Sequence, residues 1–79
     1  MNYFSLGDYK TAVVSLEKAS ALAPEDAEIK SLLGTSQYLL GDFIAARDNL
    51  GKAKALFERS GDSSNVAEIN GLIARIPEN

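Results

Sequence analysis

The chain of 79 residues contains no Cys, no His, no Trp and a single Met. Without Cys there is no disulfide framework and no thiolate chemistry, and the compartment stays open. Without His the commonest general base and the commonest metal ligand are both missing. Cations are in the minority: eight Lys and Arg stand against eleven Asp and Glu, a net charge of −3. That balance argues against nucleic acid as a partner. No apolar run approaches the roughly 20 residues that span a bilayer, so membrane insertion is not expected. The residues given show no basic stretch followed by an apolar one, hence no signal peptide. Dinucleotide, phosphate-loop, calcium-loop and Ser-x-x-Lys patterns are also absent. The one tight carboxylate group, Glu25, Asp26 and Glu28, falls where a helix begins and acids are favoured anyway. No enzyme, cofactor or metal site is expected.

What is present is a repeat. Positions 6 to 22 return 34 residues later at positions 40 to 56, with nine identities in seventeen positions and no gap. Leu6-Gly7-Asp8-Tyr9 comes back as Leu40-Gly41-Asp42-Phe43. Ala12, Leu16, Lys18, Ala19, Ala21 and Leu22 come back as Ala46, Leu50, Lys52, Ala53, Ala55 and Leu56. A fixed period of this size means one supersecondary unit stacked on its copy, each with an apolar face it cannot bury alone. The apolar fraction of 46% suits a single small globular domain.

Gly and Pro divide the chain into helical lengths, and within them the apolar residues follow a 3.6-residue period. The spacing predicts helices over Tyr9 to Ala23, Ala27 to Leu40, Phe43 to Arg59 and about Asn65 to Ile76. Nothing reads as a strand. Asp8, Asp42 and Asp62 or Ser63 stand where a first turn needs an oxygen acceptor. Gly7, Gly41 and Gly61 stand where a helix ends in a left-handed residue, and Gly61 to Asn65 is read as a longer loop. The predicted inner faces carry Leu22 on the first helix and Leu32 on the second. Small residues lie on those faces too: Ala12, Ala19, Gly34, Ala46, Ala53 and Ala74. They allow close crossings, so the helices are expected to form tight antiparallel pairs.

With these residues in view, the chain resembles the tetratricopeptide repeat family. That family stacks 34-residue helix pairs, A then B, into a right-handed superhelix. Its pattern matches Leu33-Gly34 in the second helix A and the turn Gly41-Asp42-Phe43. It also matches Ala12/Leu16/Ala19 and Ala46/Leu50/Ala53 in the two helices B, with Pro24 closing the first. The resemblance implies an all-α antiparallel helix-pair solenoid of four full helices plus an N-terminal helix remnant. As one domain over 1–79 it divides into a partial repeat at 1–26, a second repeat with an extended second helix at 27–61, and a terminal or capping helix at 62–79. Because only Met1 to Leu6 precede the first turn, most of the first helix A is expected to be missing, as in a piece of a longer chain. Gln37 departs from the pattern, which usually has an aromatic there.

The same resemblance implies a non-catalytic scaffold that binds a peptide or helix of a protein partner in the concave groove of the A helices. Position by position, that surface would include Phe4, Glu28, Ser31, Thr35, Tyr38 and Arg75, with Phe4 and Tyr38 paired across adjoining helices. Family members that clamp acidic chaperone tails use Lys, Asn and Arg in this groove. The corresponding places here hold Glu28, Ser31, Thr35 and Glu68, with Arg75 the one matching cation. A neutral or basic segment is therefore expected. The alternative is self-association through exposed repeat edges. Tyr9, Val13 and Leu16 would be partly uncovered, an edge open to a homodimer.

Overall fold

The computed structural model describes residues 6–77, with side chains from residue 8 onward. Four helices follow in order: α1 (Leu6–Leu22), α2 (Ala27–Leu40), α3 (Phe43–Arg59) and α4 (Ser63–Arg75). Among the described residues there is no strand. Each helix packs against its neighbour in sequence: α1 on α2, α2 on α3, and α3 on α4. The fold is the expected all-α, helix-pair solenoid. The N-terminal remnant before Leu6 lies outside the described residues.

Two of the three connections use one device. The Gly41 amide, at φ 87°, donates to the Tyr38 carbonyl, and the Asp42 amide donates to the Gln37 carbonyl at 2.9 Å. Asp42 then caps α3, its Oδ1 accepting from the Ala45 amide. Gly61 and Asp62 repeat the arrangement, with the Asp62 amide donating to the Phe57 carbonyl at 2.9 Å. The Asp62 carboxylate accepts from the Asn65 amide and, at 2.7 Å, from the Asn65 side chain. Gly takes the left-handed step that closes one helix, and Asp both completes that closure and opens the next. Hinges of two residues (Gly41, Asp42) and three (Ser60, Gly61, Asp62) follow, short enough to turn each helix back on its neighbour. The first connection differs: α1 stops at Leu22 ahead of Pro24, and Asp26 caps α2 by accepting from the Glu28 and Ile29 amides.

Two helix starts differ from the sequence expectation. α1 is already helical at Leu6, where the described residues begin, so the first Leu-Gly-Asp is helix and not a turn. α4 starts at Ser63, two residues earlier than read, because the Asp62 cap makes Ser63, Ser64 and Asn65 its first turn. The longer loop at Gly61 to Asn65 is thus absent. α3 does run on to Arg59, past Leu56, whereas α1 ends at the equivalent Leu22.

The core forms on both sides of α3. Ala46, Leu50 and Ala53 are wholly inaccessible and pack with Ile69 and Ile76 of the α4 segment, with Tyr38, Phe43, Phe57, Leu72 and Ile73 around them. Gly34 is where α2 touches α3. A Cβ there would lie 2.7 Å from Leu50 Cγ and 3.1 Å from the Leu50 amide nitrogen. Gln37, buried where an aromatic is usual, accepts a 2.8 Å hydrogen bond from the Asn49 side chain across the same seam. The α1–α2 seam holds a buried Ser20 whose hydroxyl accepts from Lys30 Nζ at 2.6 Å. A buried hydroxyl without such a donor would cost about 1–3 kcal/mol. Three assignments to the inner faces are corrected: Leu22 is 88% exposed, Leu32 is 52% exposed, and Ala74 faces solvent. Ala74 lies on the outer side of α4, which turns Ile69, Leu72, Ile73 and Ile76 inward instead.

Candidate functional site

Because α2 and α4 both pack on α3, they flank one another across it and leave a cleft between them. Its walls are Glu28, Ser31 and Leu32 of α2 and Asn65 and Glu68 of α4, with Phe57 and Asp62 at the end nearest the second hinge. The cleft holds about 410 Å³ and opens into a wider depression that shares Glu28, Phe57 and Asp62 and adds Glu25 and Asp26. Its apolar lining comes from two side chains. Leu32 stands about half exposed in the cleft, and Phe57 reaches it from the edge of the core. Its rim is acidic.

The carboxylates on that rim differ in availability. Asp26 and Asp62 are already accepting from the first turns of α2 and α4. Glu25, Glu28 and Glu68 make no ion pair among the described residues. Arg59 is the one cation bordering the shared depression. The ion pair found among the described residues, Lys52 with Asp48 at 3.2 Å, lies exposed on α3. An apolar strip between unpaired carboxylates can bury an apolar side chain and pair with cations beside it.

Of the six residues assigned from the sequence, Glu28 and Ser31 line this cleft. Thr35 and Tyr38 continue the same face of α2, but other contacts occupy them. The Thr35 hydroxyl donates to the Ser31 carbonyl at 2.8 Å. The Tyr38 ring packs on Phe43 with centroids 5.9 Å apart and is half-buried against the core. Arg75 ends α4 beside Glu68, Gly71 and Leu72, in a shallow surface outside the Glu28–Ser31 cleft. Phe4, and with it the proposed pairing to Tyr38, lies outside the described residues. Leu32, Phe57 and Asn65 were missed. Leu32 was discoverable, since it follows Glu28 by four residues and so shares its face.

Among the described residues no group of three acidic side chains is placed to hold a metal, and no helix is long and apolar enough to cross a membrane. Antiparallel helices in register, joined by Gly-Asp hinges and seamed by small residues, define a helical-repeat protein. The chain belongs to the tetratricopeptide repeat family: the family model described as TPR repeat matches residues 2–41, just over half of its length. No curated protein and no solved structure gives a significant match. Proteins of this family typically mediate protein–protein interaction and are generally non-catalytic scaffolds, so a protein partner is implied.

Proposed function

We propose that the chain is a non-catalytic interaction module that takes a peptide or helix of a protein partner in the cleft between α2 and α4. One observation carries this reading: half-exposed Leu32 beside Phe57, bordered by the unpaired carboxylates of Glu28 and Glu68. Isolated exposed leucines are ordinary, but one set in a concave strip with charges of a single sign has the form of a recognition surface. The partner segment carries an apolar side chain with Lys or Arg beside it. Arg75 stands beside Glu68 but outside the cleft lining, and the Glu28 and Glu68 carboxylates on the walls oppose an acidic ligand, so the cleft does not suit a carboxylate clamp.

The test is a titration followed by amide chemical shifts, using a short peptide with one leucine between lysines and its counterpart with glutamates. The lysine peptide should move the resonances of α2 and α4, and Leu32→Ala should weaken it about tenfold. Tight binding of the glutamate peptide, lost on Arg75→Ala, overturns the reading. A second reading is self-association through the α1 edge, favoured by Tyr9, Val13 and Leu16, each left half-exposed.

A further inference from the structure

The outward face of α1 carries a pattern that the interaction reading above does not use. Lys10, Val14, Lys18 and Leu22 follow one another at intervals of four and are all exposed, Val14 by 51% and Leu22 by 88%. Intervals of four place them on one stripe of the helix. Ser20, on the other side of the helix, meets Lys30 of α2, and Leu16 and Tyr9 share its side. The stripe therefore alternates cation and apolar side chain, with the two lysines about 12 Å apart along the axis. Neither lysine makes an ion pair among the described residues. Glu17 borders the stripe on one side.

We infer that the α1 stripe of one copy of this chain docks in the α2–α4 cleft of another, Lys10 and Lys18 against Glu28 and Glu68, with Val14 over Leu32. The inference rests on the cleft being the binding surface, and it names a second copy as the occupant. Charge complementarity is the ground for it. The stripe offers apolar and cationic groups in alternation, and the cleft offers Leu32 and Phe57 beside the unpaired carboxylates of Glu28 and Glu68. Complementary potentials of this kind select a partner and set its register. Stripe and cleft share no residue, so a copy engaged through one still presents the other.

Sedimentation of the 79-residue chain over a concentration series tests it. The average mass should rise with concentration, and association should weaken at least tenfold when salt is raised to about 1 M. The double variant Lys10→Glu/Lys18→Glu should be monomeric, because its stripe and its cleft are both acidic. Glu28→Lys/Glu68→Lys should be monomeric for the opposite reason. Mixing the two variants should restore association, since each stripe then faces a cleft of opposite sign. All four side chains are exposed, and unchanged helical circular dichroism should confirm that both variants fold. A chain that stays monomeric to about 1 mM, or that associates regardless of these reversals, overturns the inference. If that monomer still binds the lysine peptide in a Leu32-dependent way, the interaction reading survives without it.

Discussion

Ala12, Leu16 and Ala19 of α1 are repeated residue for residue as Ala46, Leu50 and Ala53 of α3, yet the two sets are in different environments. The second set is wholly inaccessible, while every member of the first is half-exposed. Composition cannot account for this, because the side chains are the same. Neighbours can. α3 lies between α2 and α4, and Gly34 brings α2 against Leu50 from one side while Ile69 and Ile76 close the other. Among the described elements α1 packs extensively on α2 alone. In a solenoid each unit's stability depends on its interfaces, so one sequence can be core in one copy and margin in the next.

The sharpest way to break this comparison is to truncate the equivalent leucines. Leu50→Ala should cost roughly 2–5 kcal/mol, because a wholly buried site loses its contacts and leaves a cavity. Leu16→Ala should cost about 1–2 kcal/mol, since that side chain is already partly accessible to water. Urea melts of the two variants decide it. Equal losses would mean that α1 is as deeply packed in solution as α3.

The next effect in size concerns the contact that makes α3 the centre. In Gly34→Ala the added methyl would sit within 3 Å of Leu50 Cγ and Cδ2, which can shift, and 3.1 Å from backbone nitrogen, which cannot without moving α3. The expected cost is about 1–3 kcal/mol, although Ala is the better helix former by about 1 kcal/mol. Gly51 of α3 is the control, since a Cβ there meets nothing within 4 Å. Gly51→Ala should stabilise by about 0.5–1 kcal/mol. Thermal melts showing the same sign for both would remove Gly34 as the point of close approach.

The legible and illegible parts of this molecule divide on the same line. The Gly41-Asp42 hinge and the antiparallel pairing could be read from Leu40-Gly41-Asp42, because the turn chemistry is local to those residues. The start of α4 was misplaced because Ser63, Ser64 and Asn65 are weak helix formers, whereas a first turn capped by Asp62 tolerates them. Leu22, Leu32 and Ala74 were assigned inward because periodicity identifies a stripe but not which neighbours exist to cover it. Part of the cleft was visible as Glu28 and Ser31 on one face of α2. Phe57 and Asn65 were not, since a wall built from three helices depends on how α2 and α4 diverge over α3.

The first and second Leu-Gly-Asp segments extend the comparison from side chains to backbone. Gly41 is left-handed because its amide and that of Asp42 donate to the Tyr38 and Gln37 carbonyls, closing the last turn of α2. Gly7 is followed by the same aspartate but continues a helix already formed at Leu6. One motif therefore adopts two backbones. Substituting each glycine separates these states. In Gly41→Ala the new methyl has open space around it, so the only cost is the left-handed conformation, about 1–2 kcal/mol. In Gly7→Ala the backbone is already helical, so stability should hold or rise by up to about 1 kcal/mol. Opposite signs in thermal melts support two backbones for one motif. Matching losses would mean that the first Leu-Gly-Asp turns in solution as the second does, and that α1 begins at Tyr9.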